Sequence, residues 1–320
     1  MLSRIAESLY WMGRYVERAD DTARLLDVNV HRALAEIGDE AVGSALLIAM
    51  GLGHGIEVGT AADVWTVTEL LAYDREDPSS VVGSLRLARE NAAGLREVLN
   101  TEVWEAMNRT FHDIDQQVGL ARDFGPHVLF EWVRERVALI GGLIDNVLLH
   151  DDGWRFLTLG RCLERVDMTA RLLHAVPPDA DDAAWSGVLL SCGANDAFLR
   201  THGGSIDRRR ALAVLLLHPD FPRSASFSLR TAEECLRAIQ VSADTRRERI
   251  VDAPTSDDST IRTLGRMRSE LEYASPVELD RDLGAVLHRI QRACRDASES
   301  LTKRYFQRVA FVEWSTEIVS

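Results

Sequence analysis

A fourteen-residue pattern written twice constrains this 320-residue chain more than any other feature. Gly13–Leu26 reads GRYVERADDTARLL and Gly160–Leu173 reads GRCLERVDMTARLL, identical at ten of fourteen positions with an offset of 147. A second pair follows in the same order. Pro78–Glu90 (PSSVVGSLRLARE) and Pro222–Glu234 (PRSASFSLRTAEE) agree at seven of thirteen positions with an offset of 144. Two motifs in one order at nearly one spacing predict two related halves, residues 1–150 and 151–320. The shared positions are mostly Arg, Glu, Asp and Ser, so the repetition preserves charge as well as core.

Hydrophobic periodicity is helical throughout, and no strand hairpin is signalled. The spacing predicts helices over 2–37, 41–52, 60–73, 78–118, 126–149, 152–175, 181–201, 207–217, 223–241, 257–272 and 276–313. The eight prolines all fall at predicted breaks or starts. Ser275-Pro276-Val277-Glu278 has the form of a capping box. The expected fold is all-α: two pseudo-symmetric helical halves from an internal duplication, packed as one helical bundle assembly. The best loop candidate is 243–258, rich in Asp, Pro and Ser.

On the first repeated helix, Leu9, Met12, Tyr15, Val16, Ala19, Ala23 and Leu26 share a core-facing arc. Arg14, Glu17, Arg18, Asp20, Asp21 and Arg24 occupy the other side. Tyr10 and Leu25 lie among those charges, as Leu157 and Leu172 do in the second copy. Large apolar groups in a charged arc imply that this face is covered too, and covered charges must be paired. Spacing within the helix offers partners: Asp20–Arg24 and Asp167–Arg171 at four residues, Arg14–Glu17 and Arg161–Glu164 at three, Arg86–Glu90 and Arg230–Glu234 at four. If the halves pack about a pseudo-two-fold axis, Glu17 and Glu164 come close together.

Three meanings stay open. The charges could form a buried ion network that fixes register. They could bind an anion, with Arg14, Glu17, Arg18, Arg24, Arg86, Glu90, Arg161, Glu164, Arg165, Arg171, Arg230 and Glu234 as the ligand-binding set. Or Glu17 and Glu164 could be catalytic, one with a raised pKa acting as acid or base.

Other chemistries find no support. No Glu is followed three residues later by His, no H-E-x-x-H occurs, and no metal or cofactor is expected. The stretch Gly51–Gly59 (GLGHGIEVG) lacks a Walker lysine and reads as a helix connection. Ser84 and Ser228 have no adjacent His and read as packing or capping residues. Trp11, Trp104, Trp132, Trp154 and Trp314 read as core. The four cysteines are widely spaced and read as reduced, buried thiols. A formal charge of −13 argues against nucleic acid as a partner. The longest uncharged apolar run, Ala41–Gly53, is too short and Gly-rich to span a bilayer, and no secretory signal is visible; a cytoplasmic location without membrane contact is expected.

The opening M-L-S-R-x-A-E-S-L-Y-W-x-G-R-Y-x-E-R-A-x-x-x-A-R-L-L resembles the bacterial alpha-E proteins, an all-helical group. The match continues through Arg89–Glu97, Glu102–Asn108, Gly153–Arg165 and Phe221–Phe227. The resemblance implies an association with circularly permuted ATP-grasp ligases, transglutaminase-like peptidases and proteasome-like hydrolases, and so with making or processing a peptide or amide. It carries over to Arg14, Glu17, Arg18, Glu90, Glu164 and Arg165. The leading expectation is an accessory or ligand-binding component of an ATP-grasp-dependent modification system that binds an anionic small molecule or peptide. The alternatives are an amide-forming or amide-cleaving enzyme using the glutamate pair, and a helical scaffold that docks the ligase.

Overall fold

Residues 3–35, 46–47, 50, 63–247 and 259–306 are described by a computed structural model. Every regular element among them is helical. In order they are α1 (Ser3–Ala35), α2 (Val64–Thr68), α3 (Val81–Ala93), α4 (Thr101–Phe124), α5 (His127–Val147), α6 (Asp152–Ala175), α7 (Asp182–Ser191), α8 (Asn195–His202), α9 (Arg208–Leu212), α10 (Ala225–Arg247), α11 (Ser259–Tyr273), α12 (Pro276–Arg281) and α13 (Leu283–Leu301). Three π-helical turns extend α2, α9 and α13, at Glu69–Tyr73, Ala213–Leu217 and Thr302–Phe306.

Side-chain caps start most of these helices, as the sequence chemistry dictates. Ser80 accepts from the Gly83 amide, Asn100 from Glu102, Asp151 from Gly153 and Trp154, Asp181 from Ala184, and Asp207 from Arg210. The capping box at Ser275 and Glu278 is complete in both directions.

Several predicted helices are divided. The span 78–118 breaks between α3 and α4, where Gly94 ends one helix and the Asn100 cap starts the next. Leu95 and Leu99 are buried in the turn between them, so the break is held by the core. The span 181–201 breaks at Cys192–Ala194, where Gly193 takes a positive φ of 62°, a conformation that favours glycine. The span 276–313 breaks at Asp282, and its last residues, with Trp314, lie outside the described residues, as do most of 41–52, all of Gly51–Gly59 and 248–258. Residues 243–247, expected as loop, continue α10.

The scaffold is built on α1 and α6, which pack along each other. On α1 lie α3 and α5, with α4 packed on both of these. On α6 lie α10 and α13, with α11 packed on both of these. One apolar cluster runs from Ala6 to Phe306 through all of these layers. Trp185 is among the largest fully buried side chains, while Trp11, Trp104, Trp132 and Trp154 pack at the edge of the core. All four cysteines are free and buried.

The α1–α6 contact is close enough to exclude a β-carbon. A methyl group at Gly13 would collide with the Leu157 carbonyl oxygen, and one at Gly160 with the Tyr10 carbonyl oxygen. Gly13→Ala and Gly160→Ala are each expected to lower stability by about 3 kcal/mol, at the upper end of overpacking costs. Gly142→Ala, where nothing lies within 4 Å, should gain stability from helix propensity alone, by about 1 kcal/mol. Urea denaturation of the three variants checks this; equal effects at all three sites would contradict it.

Candidate functional site

The closeness of α1 and α6 decides where their charges go. Arg14, Glu17, Asp20, Asp21 and Glu164 are buried, with Glu17 only 2% and Glu164 only 3% exposed. The charged face of α1 is thus covered, as its apolar neighbours required. The partners, however, are not the ones predicted. Within-helix spacing pointed to Arg14–Glu17 and Arg161–Glu164, yet each glutamate is bonded from the opposite helix.

Glu164 receives Arg18 as a fork, Nε to Oε1 at 2.5 Å and Nη2 to Oε2 at 3.1 Å. The Arg14 Nε also donates to Oε2. Glu17 receives Arg165 in the same way, Nε to Oε1 at 2.8 Å and Nη2 to Oε2 at 2.7 Å. Arg161 stands 3.7 Å from Glu17 Oε2. A planar guanidinium can make two parallel bonds to one carboxylate, which an ammonium cannot. The spare guanidinium nitrogens then tie in the neighbouring helices. Arg18 Nη1 donates to the Pro78 carbonyl and Arg165 Nη1 to the Pro222 carbonyl, at 3.2 and 2.8 Å. Those two carbonyls also receive the Ser84 and Ser228 hydroxyls. The two matching serines are therefore braces at the starts of α3 and α10, consistent with a packing role. Arg14 Nη1 reaches Tyr10 Oη and Ser298 Oγ, bringing α13 into the same network.

Beyond this clasp, Arg24 bonds Asp20 at 2.8 Å and Arg171 bonds Asp167 at 2.9 Å, the within-helix pairs expected. The remaining predicted residues lie elsewhere. Arg86 pairs with the exposed Glu90 and donates to the Arg75 carbonyl. Arg230 does not pair with Glu234. It donates to the Pro219 carbonyl and lies over the Phe227 ring, while Glu234 is exposed. Arg86 and Arg230 brace the turns before α3 and α10, and none of these four residues is bonded to the clasp.

Sequence reasoning passed over Arg223. Its Nε donates to the Cys192 carbonyl, its Nη1 lies 3.1 Å from Glu17 Oε1 and 3.0 Å from Asp20 Oδ2, and its Nη2 bonds Asp21. The signal was available as a double mismatch between the copies: Arg223 stands where the first copy has Ser79, and Asp21 where the second has Met168. Glu17, Asp20 and Asp21 bring carboxylate oxygens within 4.8 Å of one another, a spacing that could chelate a cation. Arg223 supplies the positive charge there instead.

The electrostatics follow from burial and partners. Burial pushes the Glu17 carboxyl up, but Arg165 and Arg223 outweigh it and hold it down at about 2. Arg14 and Arg18 likewise hold Glu164 at about 2 against burial. Both acids are therefore ionised at neutral pH, the opposite of the raised pKa that an acid catalyst needs. Neither has the other as a hydrogen-bond partner. Asp21 differs: burial, with Glu17 and Asp20 alongside, pushes it up to about 8 despite Arg223. Burial also raises the Cys162 thiol to about 11 and Cys192 to about 12, so neither is a ready nucleophile.

Residues 1–306 match Alpha-E, described as a predicted alpha-helical domain with a conserved ER motif. The chain belongs to the Alpha-E family. Glu17-Arg18 and Glu164-Arg165 are its two Glu-Arg dipeptides within the clasp. Uncharacterized proteins of Mycobacterium tuberculosis and Mycobacterium bovis are 26% identical to it over 332 residues. That match covers 93% of this chain but only 36% of the relatives, so the chain spans about a third of their length. No solved structure matches. No helix among the described residues is long and apolar enough to cross a membrane.

Glu164→Gln and Glu17→Gln should each cost about 3–5 kcal/mol, because each leaves buried guanidiniums half-paired. Folded pKa values of about 2 lie below the ordinary 4.5, so the unfolded chain takes up protons first as pH falls. The clasp's contribution is complete above pH 4.5 and disappears toward pH 2. Denaturation between these limits should show that slope in the native chain and a shallower one in either variant. Asp21 runs the other way. From its ordinary 3.8 up to about 8 the folded chain keeps a proton the unfolded chain has lost, so stability from this group declines as pH rises. Asp21→Asn keeps an acceptor for Arg223 and should be at least as stable as the native chain above pH 8, as judged from denaturation midpoints.

Proposed function

We propose that this chain is a non-catalytic, anion-binding helical component of an ATP-grasp-dependent system that forms or modifies peptide or amide bonds. The observation that carries the reading is the local charge balance. Arg14, Arg18, Arg161, Arg165, Arg171, Arg24 and Arg223 converge on Glu17, Glu164, Asp20, Asp21, Asp145 and Asp167, with Asp21 held toward its neutral form. The α1–α6 region is therefore locally cationic in a chain whose formal charge is −13. Such a site attracts a carboxylate or phosphate while the rest of the surface repels it. Proton transfer is poorly served, because both glutamates are ionised and enclosed by guanidinium groups.

We further infer that the chain is one helical unit duplicated and closed on itself about a pseudo-two-fold axis, with residues 1–150 and 151–320 as the halves. Matched contacts support this. Arg18–Glu164–Pro78 is mirrored by Arg165–Glu17–Pro222, Ser84 by Ser228, Gly13 by Gly160, and the π turn before α3 by the π turn before α10. The much greater length of the mycobacterial relatives supports a component role, since this unit there accompanies other sequence. The partner classes proposed are a circularly permuted ATP-grasp ligase and a transglutaminase-like protein, with cytoplasmic residence.

Two measurements test the reading. The purified chain should bind carboxylate-bearing peptides with an affinity that falls as salt rises, and alone should neither form nor cleave an amide bond. Turnover by the isolated chain would overturn the non-catalytic assignment. Co-purification with the ligase and no anion affinity would favour a docking scaffold instead.

A further inference from the structure

The two ends of the clasp are not finished alike. At the end formed by Glu17, the Arg223 guanidinium fills the space between Glu17, Asp20, Asp21 and the Cys192 carbonyl. At the end formed by Glu164, the matching positions carry Ser79 in place of Arg223 and Met168 in place of Asp21. A cavity of about 100 Å³ opens there, lined by Arg18, Met50, Ser79, Glu164, Met168 and Arg171. Each lining residue named in the repeats has a counterpart around Arg223: Arg165 for Arg18, Glu17 for Glu164, Asp21 for Met168 and Arg24 for Arg171. One copy carries its own plug and the other a cavity.

The charge this cavity suits follows from the donors and acceptors that line it. A cation is poorly received. The acid matching Asp21 is a methionine. Both Glu164 oxygens already accept from Arg14 and Arg18, and Asp167 is bonded by Arg171. Donors, by contrast, are left over. Arg171 bonds Asp167 through Nε and reaches the Met50 carbonyl through Nη1 only at 3.5 Å, leaving its Nη2 without an acceptor among the described residues. Its side chain is 36% exposed at the mouth, with Arg18 deeper at 18%. Each Arg18 terminal nitrogen makes one bond and keeps a second hydrogen. Ser79, which also lines the cavity, has a hydroxyl that can donate.

We propose that this cavity is a binding site for one small oxyanion group, a carboxylate or a phosphate, held by Arg18, Arg171 and Ser79. The inference rests on the anion-binding reading above and gives that reading a location. Glu164 takes no part in the binding itself; it positions the Arg18 fork. Arg223 is then the built-in closure of the matching place, which takes no ligand.

The test copies that closure. Inorganic phosphate, a short peptide with a free C-terminal carboxylate and the same peptide as its amide are titrated calorimetrically into the native chain and two variants. One is the double variant Ser79→Arg, Met168→Asp, which recreates the plug and its acid. The other is Arg171→Gln at the half-exposed mouth. The native chain is expected to bind phosphate or the peptide acid, but not the amide; which of the two binds names the source of the oxyanion. The double variant should fold, as seen by circular dichroism, and lose binding; Arg171→Gln should weaken it about tenfold, the loss of one charge-assisted contact. If the native chain binds an oxyanion and the folded double variant binds it equally well, this location is wrong while the anion-binding reading survives. If the double variant does not fold, unchanged binding by Arg171→Gln overturns the location. Failure of the native chain to bind either probe overturns both.

Discussion

The structure depends on the exchange of guanidinium groups between two helices that nearly touch. Neither α1 nor α6 satisfies its own central glutamate; each supplies the arginines for the other. Taking these charges out of water is expensive, and the fork geometry with further bonds to carbonyls and hydroxyls offsets that cost only while the helices keep one register. Sliding one helix by a turn would separate every fork from its carboxylate at once. The ion network therefore specifies register more than it adds net stability, and the glycine contacts at Gly13 and Gly160 set how near the helices stand.

The outer helices are positioned from this centre. Arg18 and Arg165 each spend one nitrogen on the carbonyl of a proline, Pro78 or Pro222, that opens the approach to α3 or α10. Ser84 and Ser228 donate to the same carbonyls. Arg14 passes the connection to α13 through Tyr10 and Ser298. Chain direction after each π turn is thereby tied to the same carboxylates that join α1 and α6. This explains why the shared sequence positions are more often polar than apolar.

The helical class, the buried second face of α1, the Ser275 start and the bounds of α6 were legible because each follows from local periodicity or capping. What escaped is non-local. A residue three or four positions away is visible in a sequence, so Arg14–Glu17 and Arg230–Glu234 presented themselves as pairs. A partner 150 residues away on a helix of unknown register is not visible, and in this fold it wins. The divided helices were missed for a related reason. Leu95 and Leu99 fit a helical pattern, but the core claims them as a turn. Arg223 is not legible from what the repeats share; its meaning lies in a disagreement, Arg223 against Ser79, matched by a second disagreement at Asp21 and Met168.

The sharing of guanidiniums across the molecule has one further consequence. Each copy of the motif holds an acid whose counter-ions belong to the other copy, so neither is electrically complete alone. A chain severed near residue 150 would yield two fragments, each with a stranded carboxylate and orphaned arginines facing what had been an interior. The segments are thus obligate complements, and two such fragments would be expected to seek one another, or a second molecule, before either could exist as a folded monomer.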